Sequence, residues 1–386
     1  MISKTEVGAR ISSLRRKAAL SQAAFSELLN VSPQAVSKWE TGLSLPDIET
    51  LLNMSWIFKV SINSILEGGD GIEEAMGSDR EIIFLDRILS CPDCRGRLRK
   101  KNNGGSGFSY QCGNGHEYRF VDGVLDFQTR EIPGEQWSLT FRNYDEYLHE
   151  HHWAGNPNYN RGLDAAEIIW EEMEKRRPRV ILDMACGTGQ GIKQQIKRIR
   201  WPATVIMADI SHRILKWNRL YYSTEWKNPF VDMIYLACDG SRLPVLPESV
   251  DMVFSNAGYE SMQAKMMGGF REAYRVIKGG GCTVYTKSAI EGQENPNSRK
   301  WMELLLSSVE QEEAKWWGEQ FVDAAQWTEK CRKTGFSENT FTKIYGELPA
   351  PDQGIFPFEN EMAQWMAGYV FVSEKPGSAP ARCTSP

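Results

Sequence analysis

No stretch of the chain approaches the roughly 18 uninterrupted apolar residues of a membrane-spanning helix. The segment after Met1 is polar and amphipathic, without the apolar core of a signal peptide. The expectation is a soluble cytoplasmic protein with no membrane contact. Cysteine is sparse. Eight Cys scattered through 386 residues exclude a disulfide scaffold and leave one clustered metal site in a reducing compartment as the better account. Charge of one sign is also lacking. The net charge is -5, with seven basic and six acidic side chains in residues 1–67 and 29 against 34 in residues 131–386. The marked basic excess of a surface built for a long polyanion is therefore missing. Internal repeats are absent, and 33 Gly and 17 Pro beside 41% hydrophobic residues exclude a disordered or collagen-like chain. At about 150 residues per domain, the length predicts two or three folded units.

What is present falls into three textures. Through residues 1–67 apolar side chains recur at helical spacing (Ile11 and Leu14; Phe25 and Leu28; Ile48, Leu51 and Leu52), predicting an all-α domain. EGGDGIEEAMG, residues 67–77, reads as solvated, so residues 68–85 are expected to be a linker. Residues 86–130 carry paired Cys and short alternating runs, the texture of a small β module too small to fold on apolar burial alone. From 131 to 375, short apolar strands (RVILD, TVIMAD, MIYLA, VDMVFS, GCTVYT, YVFVS) alternate with helical patterns, predicting an α/β domain on a doubly wound parallel sheet. Residues 376–386 read as a disordered tail.

In SQAAFSELLNVSPQAVSKWE, residues 21–40, Ser21 and Ser32 are N-caps and Pro33 sits at a first helical position. Ala24, Phe25 and Leu28 are expected inward on the first helix, Val36 and Trp39 on the second. Gln34, Ser37 and Lys38 are then left outward, where a major groove would lie. With LRRKAALSQ and LPDIETL, the stretch resembles the phage-repressor-like, xenobiotic-response-element family of helix-turn-helix domains. The resemblance implies DNA contact through Gln22, Gln34, Ser37 and Lys38, and a homodimer. A helical interaction module without DNA binding is the alternative.

Cys91 and Cys94 are spaced CPDC, and Cys112 and His116 lie in CGNGH. Two residues between thiolates let a tight turn aim both sulfurs at one ion, and three Cys with one His form a closed tetrahedral zinc site, structural rather than catalytic. A redox pair at Cys91 and Cys94 is the other reading. With the tail YRFVDGVLDF the module resembles the zinc ribbon of ribosomal RNA guanine methyltransferases. Basic residues from Arg95 to Lys101 face either phosphates or solvent.

The sharpest chemistry is RVILDMACGTGQG, residues 179–191. A buried strand delivers Asp183, and Gly187, Gly189 and Gly191 allow a tight turn and close backbone approach to a ligand. Further strand ends follow with Asp209, placed to accept from ribose hydroxyls, Asp239, placed to meet an adenine amino group, and Asn256. These spacings, with REAYRVIKGGG, resemble the Rossmann-like class I S-adenosylmethionine-dependent methyltransferases. The resemblance implies Asp183 and Ala185 near the methionine end of the donor, Gly187 and Gly189 in the donor loop, and Asp209 with Ile210 at ribose and adenine. It implies Asp239 with Gly240 capping adenine, and Asn256 with Ala257 beside the methyl group. A nicotinamide dinucleotide is the alternative, but DMACGTGQG lacks the GxGxxG spacing.

GEQWSLTFRNYDEYLHEHHWAGN, residues 134–156, lies where the family keeps a lid. There Tyr147, His151 and His152 are the candidate catalytic residues, a His near neutral pH being able to take a proton. SNAG at the fourth strand end is not the motif of exocyclic-amine methylation, and Trp301, Trp316, Trp317 and Trp327 cover a cleft or fill a core. The reading is a methyltransferase of a small molecule with a regulatory or localising helix-turn-helix. An RNA methyltransferase and a transcription regulator sensing S-adenosylmethionine or a metabolite are the alternatives.

Overall fold

The computed structural model describes residues 3–18, 20–29, 31–58, 60, 62–67, 84–102, 108–128, 141–152, 163–224, 228–290, 296–308, 310, 311, 314, 318, 322–345 and 366–377. Two compact units emerge. One gathers residues 1–87 with the stretches 196–204 and 227–232, and the other holds the remainder. The expected linker at 68–83 and tail from 378 lie outside the described residues. Among those described, no helix is long and apolar enough to cross a membrane.

The N-terminal part of the first unit carries the helices α1 (Lys4–Lys17), α2 (Gln22–Leu29), α3 (Pro33–Glu40), α4 (Ile48–Phe58) and α5 (Ile62–Leu66). The Ser21 hydroxyl accepts from the Ala24 amide at 3.0 Å and the Ser32 hydroxyl from Ala35 at 3.2 Å, so both expected caps are used. Val36 and Trp39 are buried as expected. The α2 face is shifted by one residue: Phe25, Ser26 and Leu29 are buried, while Ala24 and Leu28 are half-buried. Ile48, one of the apolar residues at helical spacing, is 81% exposed at the first residue of α4, while Leu51, Met54 and Ile57 are buried.

The second unit is organised on one 11-stranded sheet in the order β1-β2-β3-β4-β7-β6-β5-β8-β9-β11-β10. The strands are β1 (Leu98–Asn102), β2 (Phe108–Cys112), β3 (Glu117–Val121), β4 (Val124–Asp126), β5 (Val180–Met184), β6 (Ala203–Asp209), β7 (Val231–Ala237), β8 (Val250–Asn256), β9 (Ile277–Ile290), β10 (Glu338–Tyr345) and β11 (Met366–Glu374). The first four form the antiparallel ribbon, and β4 pairs in parallel with β7, so the ribbon continues the central sheet. β5, β8 and β9 pair in parallel as expected. The last strand does not: β11 runs antiparallel to both β9 and β10. A short apolar run has no directional signature, and direction is set by where the chain crosses over. The strand order reverses between β5 and β8, which opens a crevice at their carboxyl ends, the usual ligand position of such sheets.

Candidate functional site

At that crevice two carboxylates emerge from neighbouring strands. Asp183 near the end of β5 and Asp209 at the tip of β6 are 1% and 5% exposed. Asp209 accepts the Gly187 amide and the Ser211 amide, each at 2.9 Å, and thus ties the glycine-rich turn to the exit of β6. Asp183 Oδ1 is buried and meets no hydrogen-bond donor among the described residues. Burial, reinforced by the Asp209 charge, pushes the Asp183 carboxyl well above the usual range. An orphaned buried carboxylate oxygen is costly unless a further donor arrives, and a cationic amine fits that need.

Ala185, Gly187 and Gly189 all have left-handed backbone, with φ of 49°, 53° and 76°. At Gly189 a Cβ would stand 2.6 Å from Met207 Cε and 2.7 Å from Tyr222 Oη, so only glycine lets the turn lie this close. Three side chains brace the turn from the helix His212–Thr224 and the helix Tyr144–His152. Tyr222 donates to the Gly189 carbonyl at 2.8 Å, Asn218 donates to the Gly187 carbonyl at 2.8 Å, and Tyr147 donates to Asn218 Oδ1 at 2.5 Å. Tyr147 is fully buried, and burial raises its hydroxyl pKa, so its proton stays in the bond to Asn218. The His151 and His152 side chains lie outside the described residues.

Two further strand ends flank this pair, β7 beyond β6 and β8 beside β5. Asp239 Oδ1 accepts from the Ser241 amide and hydroxyl, and Oδ2 accepts from Lys265 at 2.7 Å. Burial pushes Asp239 up, but Lys265 and Ser241 outweigh it and hold the carboxyl below its usual range. Gly240 follows directly, in a single tight turn Gly240–Arg242. The Thr286 hydroxyl donates to Asn256 Oδ1 and accepts the Ala257 amide, which fixes Ala257 in a left-handed conformation. Ile210 is half-buried after the β6 tip. The crevice therefore brings together Asp183, Ala185, Gly187, Gly189 and Asp209, with Asp239, Gly240, Asn256 and Ala257 at the neighbouring tips. Asn218, Tyr222, Lys265 and Thr286 were not anticipated. Their roles depend on partners 26 to 33 residues away in sequence.

Cys91, Cys94, Cys112 and His116 converge in the ribbon, their ligand atoms all within 4.8 Å of one another. Cys91 Sγ and Cys112 Sγ each lie 3.4 Å from His116 Nδ1, and Cys94 Sγ lies 3.6 Å from Cys112 Sγ. Three soft sulfurs and an imidazole suit a borderline-soft divalent ion such as zinc, and all four positions are filled by protein.

In the helical unit Gln34 and Lys38 are exposed on α3 and Ser37 is half-buried. Gln22 donates to Glu40 at 2.8 Å, so one end of its amide is held within the unit. Of the four tryptophans, Trp327 is fully buried and donates to the Tyr285 hydroxyl, a core residue. The Trp301, Trp316 and Trp317 side chains lie outside the described residues.

Residues 181–281 match the family described as a methyltransferase domain, and residues 11–65 match the family described as helix-turn-helix. The chain carries both domains. It is similar to malonyl-acyl-carrier-protein O-methyltransferase of Marinomonas sp. (strain MWYL1), 26% identical over 166 residues that cover 42% of this chain and 58% of that protein. The protein of the same description from Xylella fastidiosa (strain M23) is 39% identical over 103 residues, covering 26% and 32%. The HTH-type transcriptional activator BcrR of Enterococcus faecalis is 36% identical over 75 residues, covering 19% and 37%. The chain thus spans between a third and three fifths of the length of these relatives.

Proposed function

We propose that the chain is an S-adenosylmethionine-dependent methyltransferase of a small-molecule acceptor, with a structural zinc ion in its ribbon and a helix-turn-helix that contacts DNA to localise or regulate it. The observation that carries this reading is the buried pair Asp183 and Asp209 at adjacent strand tips, with Asp183 Oδ1 left for a donor beside a left-handed backbone turn. The methyl donor, when bound, supplies an electrophilic methyl on a cationic sulfur. The protein then has to hold, align and keep water out. In this reading Asp183 takes the donor's amine, Asp209 orients its ribose while holding Gly187, and Asp239 with Gly240 caps its adenine. Tyr147 is a positioning residue, acting through Asn218 on the carbonyl of Gly187. His151 and His152 are the candidates for removing a proton from an acceptor that arrives protonated.

Calorimetry with S-adenosylmethionine tests the donor site directly. Binding a cationic amine favours the charged form of Asp183, whose pKa is raised in the protein alone. Uptake should therefore release a proton, and affinity should rise with pH through the titration of that carboxyl. Asp209→Ala should weaken binding at least tenfold. No uptake by the wild-type protein, or unchanged uptake by Asp209→Ala, overturns the donor assignment. The first acceptor to assay is malonyl-acyl-carrier-protein, because both methyltransferase relatives are named for it.

A second reading, a transcription regulator that binds the methyl donor as a signal, is favoured by the match of the N-terminal region to an activator. It predicts donor-dependent DNA affinity and no release of S-adenosylhomocysteine with any acceptor.

A further inference from the structure

The metal knuckle and the adenine-capping turn grip each other. The Tyr118 hydroxyl stands 3.1 Å from Cys91 Sγ and donates to Asp93 Oδ2 at 2.7 Å. Asp93, between the two knuckle cysteines, accepts Arg242 through its other oxygen at 2.9 Å, and Arg242 also donates to the Pro92 carbonyl at 3.0 Å. Arg242 closes the turn that begins at Asp239, its amide bonded to the Asp239 carbonyl. A continuous polar path thus runs from a metal ligand to the Asp239–Gly240 cap. A second strap lies beside it. The Arg95 guanidinium bonds the Leu243 carbonyl at 3.1 Å and makes two bonds to Glu272, a buried residue of the helix Met266–Val276. The Ser90 amide bonds the Pro244 carbonyl. Residues 242–244 are therefore held by the ribbon through both side chain and backbone.

These straps exist only while the knuckle keeps its shape. Arg95 has φ of 60°, a left-handed backbone uncommon outside glycine, and its amide bonds back to the Cys91 carbonyl to close the knuckle. Without an ion, three thiols and an imidazole lose the partner that draws them together, and the left-handed Arg95 is left to its hydrogen bonds alone. Asp93, Pro92 and Arg95 then lose their common placement on residues 242–244.

We infer that the ribbon's metal governs the donor site, with Tyr118, Asp93 and Arg242 as the positioning residues through which occupancy of the four-ligand cluster sets affinity for the methyl donor. This rests on the reading that Asp239 and Gly240 cap the donor's adenine. Two sites coupled in this way must be coupled reciprocally, by one factor that typically lies between 5-fold and 150-fold.

The test uses the full chain, reduced, in zinc-loaded and chelated forms, titrated with S-adenosylhomocysteine by calorimetry. Zinc affinity is measured in parallel by competition with a chromophoric chelator. Donor-site affinity should fall about tenfold on zinc removal, and zinc affinity should rise by the same factor when S-adenosylhomocysteine saturates. Because the chelated ribbon can lose its fold, Arg242→Gln supplies the independent cut. Its side chain is 53% exposed and is not a ligand, so zinc stoichiometry should stay at one. Its donor-site affinity with zinc bound should fall part of the way to the zinc-free level and respond less to zinc, because the Arg95 strap remains, and Arg242→Lys should recover part of the loss. Equal affinity with and without zinc, in a protein that binds both, overturns the inference and leaves the donor assignment standing. Absence of S-adenosylhomocysteine binding in every form overturns both. Failure to take up zinc overturns the inference and the metal assignment together.

Discussion

The two small modules at the front of the chain hold themselves together by different means. The helical unit builds a core from Val7, Ile11, Phe25, Val36 and Met54, all fully buried, and among the described residues adds the ion pair of Arg15 with Glu40. In that pair Arg15 donates to both carboxylate oxygens of Glu40, which also accepts Ser12 and Gln22. The ribbon buries Leu98, Tyr110, Tyr118, Val124 and Leu125 and pairs Lys101 with Glu117, but its knuckles need an ion and its last strand is completed by β7. The helices share a core of their own, whereas a ribbon completed by a neighbour and a metal becomes part of that neighbour.

The strongest way to break that comparison is Cys112→Ser. A structural zinc site contributes on the order of 10 kcal/mol of folding free energy to a module of this kind. The variant should lose zinc and lower the melting temperature of the sheet unit. The transition of the helical unit should not move. Differential scanning calorimetry with metal analysis checks it, and a uniform shift of both transitions would show that the modules are not independent.

Glu40→Ala makes the converse cut. It leaves Arg15, itself buried, without its counter-charge, which costs about 3 kcal/mol where a buried pair is broken. Burial pushes the Glu40 carboxyl up, but the bonds from Arg15 and Gln22 outweigh that and hold it below its ordinary 4.5. The stabilisation is therefore present above pH 4.5 and fades as pH falls towards the lowered value. Urea melts of the helical unit from pH 7 to pH 3 should show this loss in the wild type and not in Glu40→Ala. Zinc content and S-adenosylhomocysteine affinity should be untouched.

The same contrast explains what could be read from residues alone. Caps at Ser21 and Ser32, the knuckle spacing and the run of carboxylates at strand tips are local signals, each written in a few consecutive residues. The direction of β11, the edge strand β10 and the pairing of β4 with β7 are not local. β10 alternates Thr340 and Phe341 with modest apolar content and lies at the sheet edge, so it carries neither a buried run nor a turn that announces it. In the crevice the strand-tip residues have a motif, while Asn218 and Tyr222 sit on the buried face of the helix His212–Thr224 and Lys265 ends a three-residue turn, so no spacing sets them apart from ordinary core or turn residues. What braces a site is set by tertiary distance, and no spacing rule reports it.

The smallest expected effect sharpens where the ribbon meets its neighbour. Asp122 and Gly123 form the two-residue turn between β3 and β4, with φ of 53° and 78°, the pattern of a type I′ hairpin. The turn lies against the helix His212–Thr224, where Lys216 pairs with Asp122 and a Cβ at Gly123 would meet Arg219 Nε at 2.0 Å. Arg219 is long and can swing aside, so the cost of Gly123→Ala is mainly the left-handed backbone, about 1 kcal/mol. In a unit of this size that lowers the melting temperature by about 2–4 °C. Because β4 is part of the central sheet, the shift should appear in the transition of the whole sheet unit. A separate, earlier transition of the ribbon alone, with the remainder unmoved, would show that the pairing of β4 with β7 contributes little to the ribbon's fold.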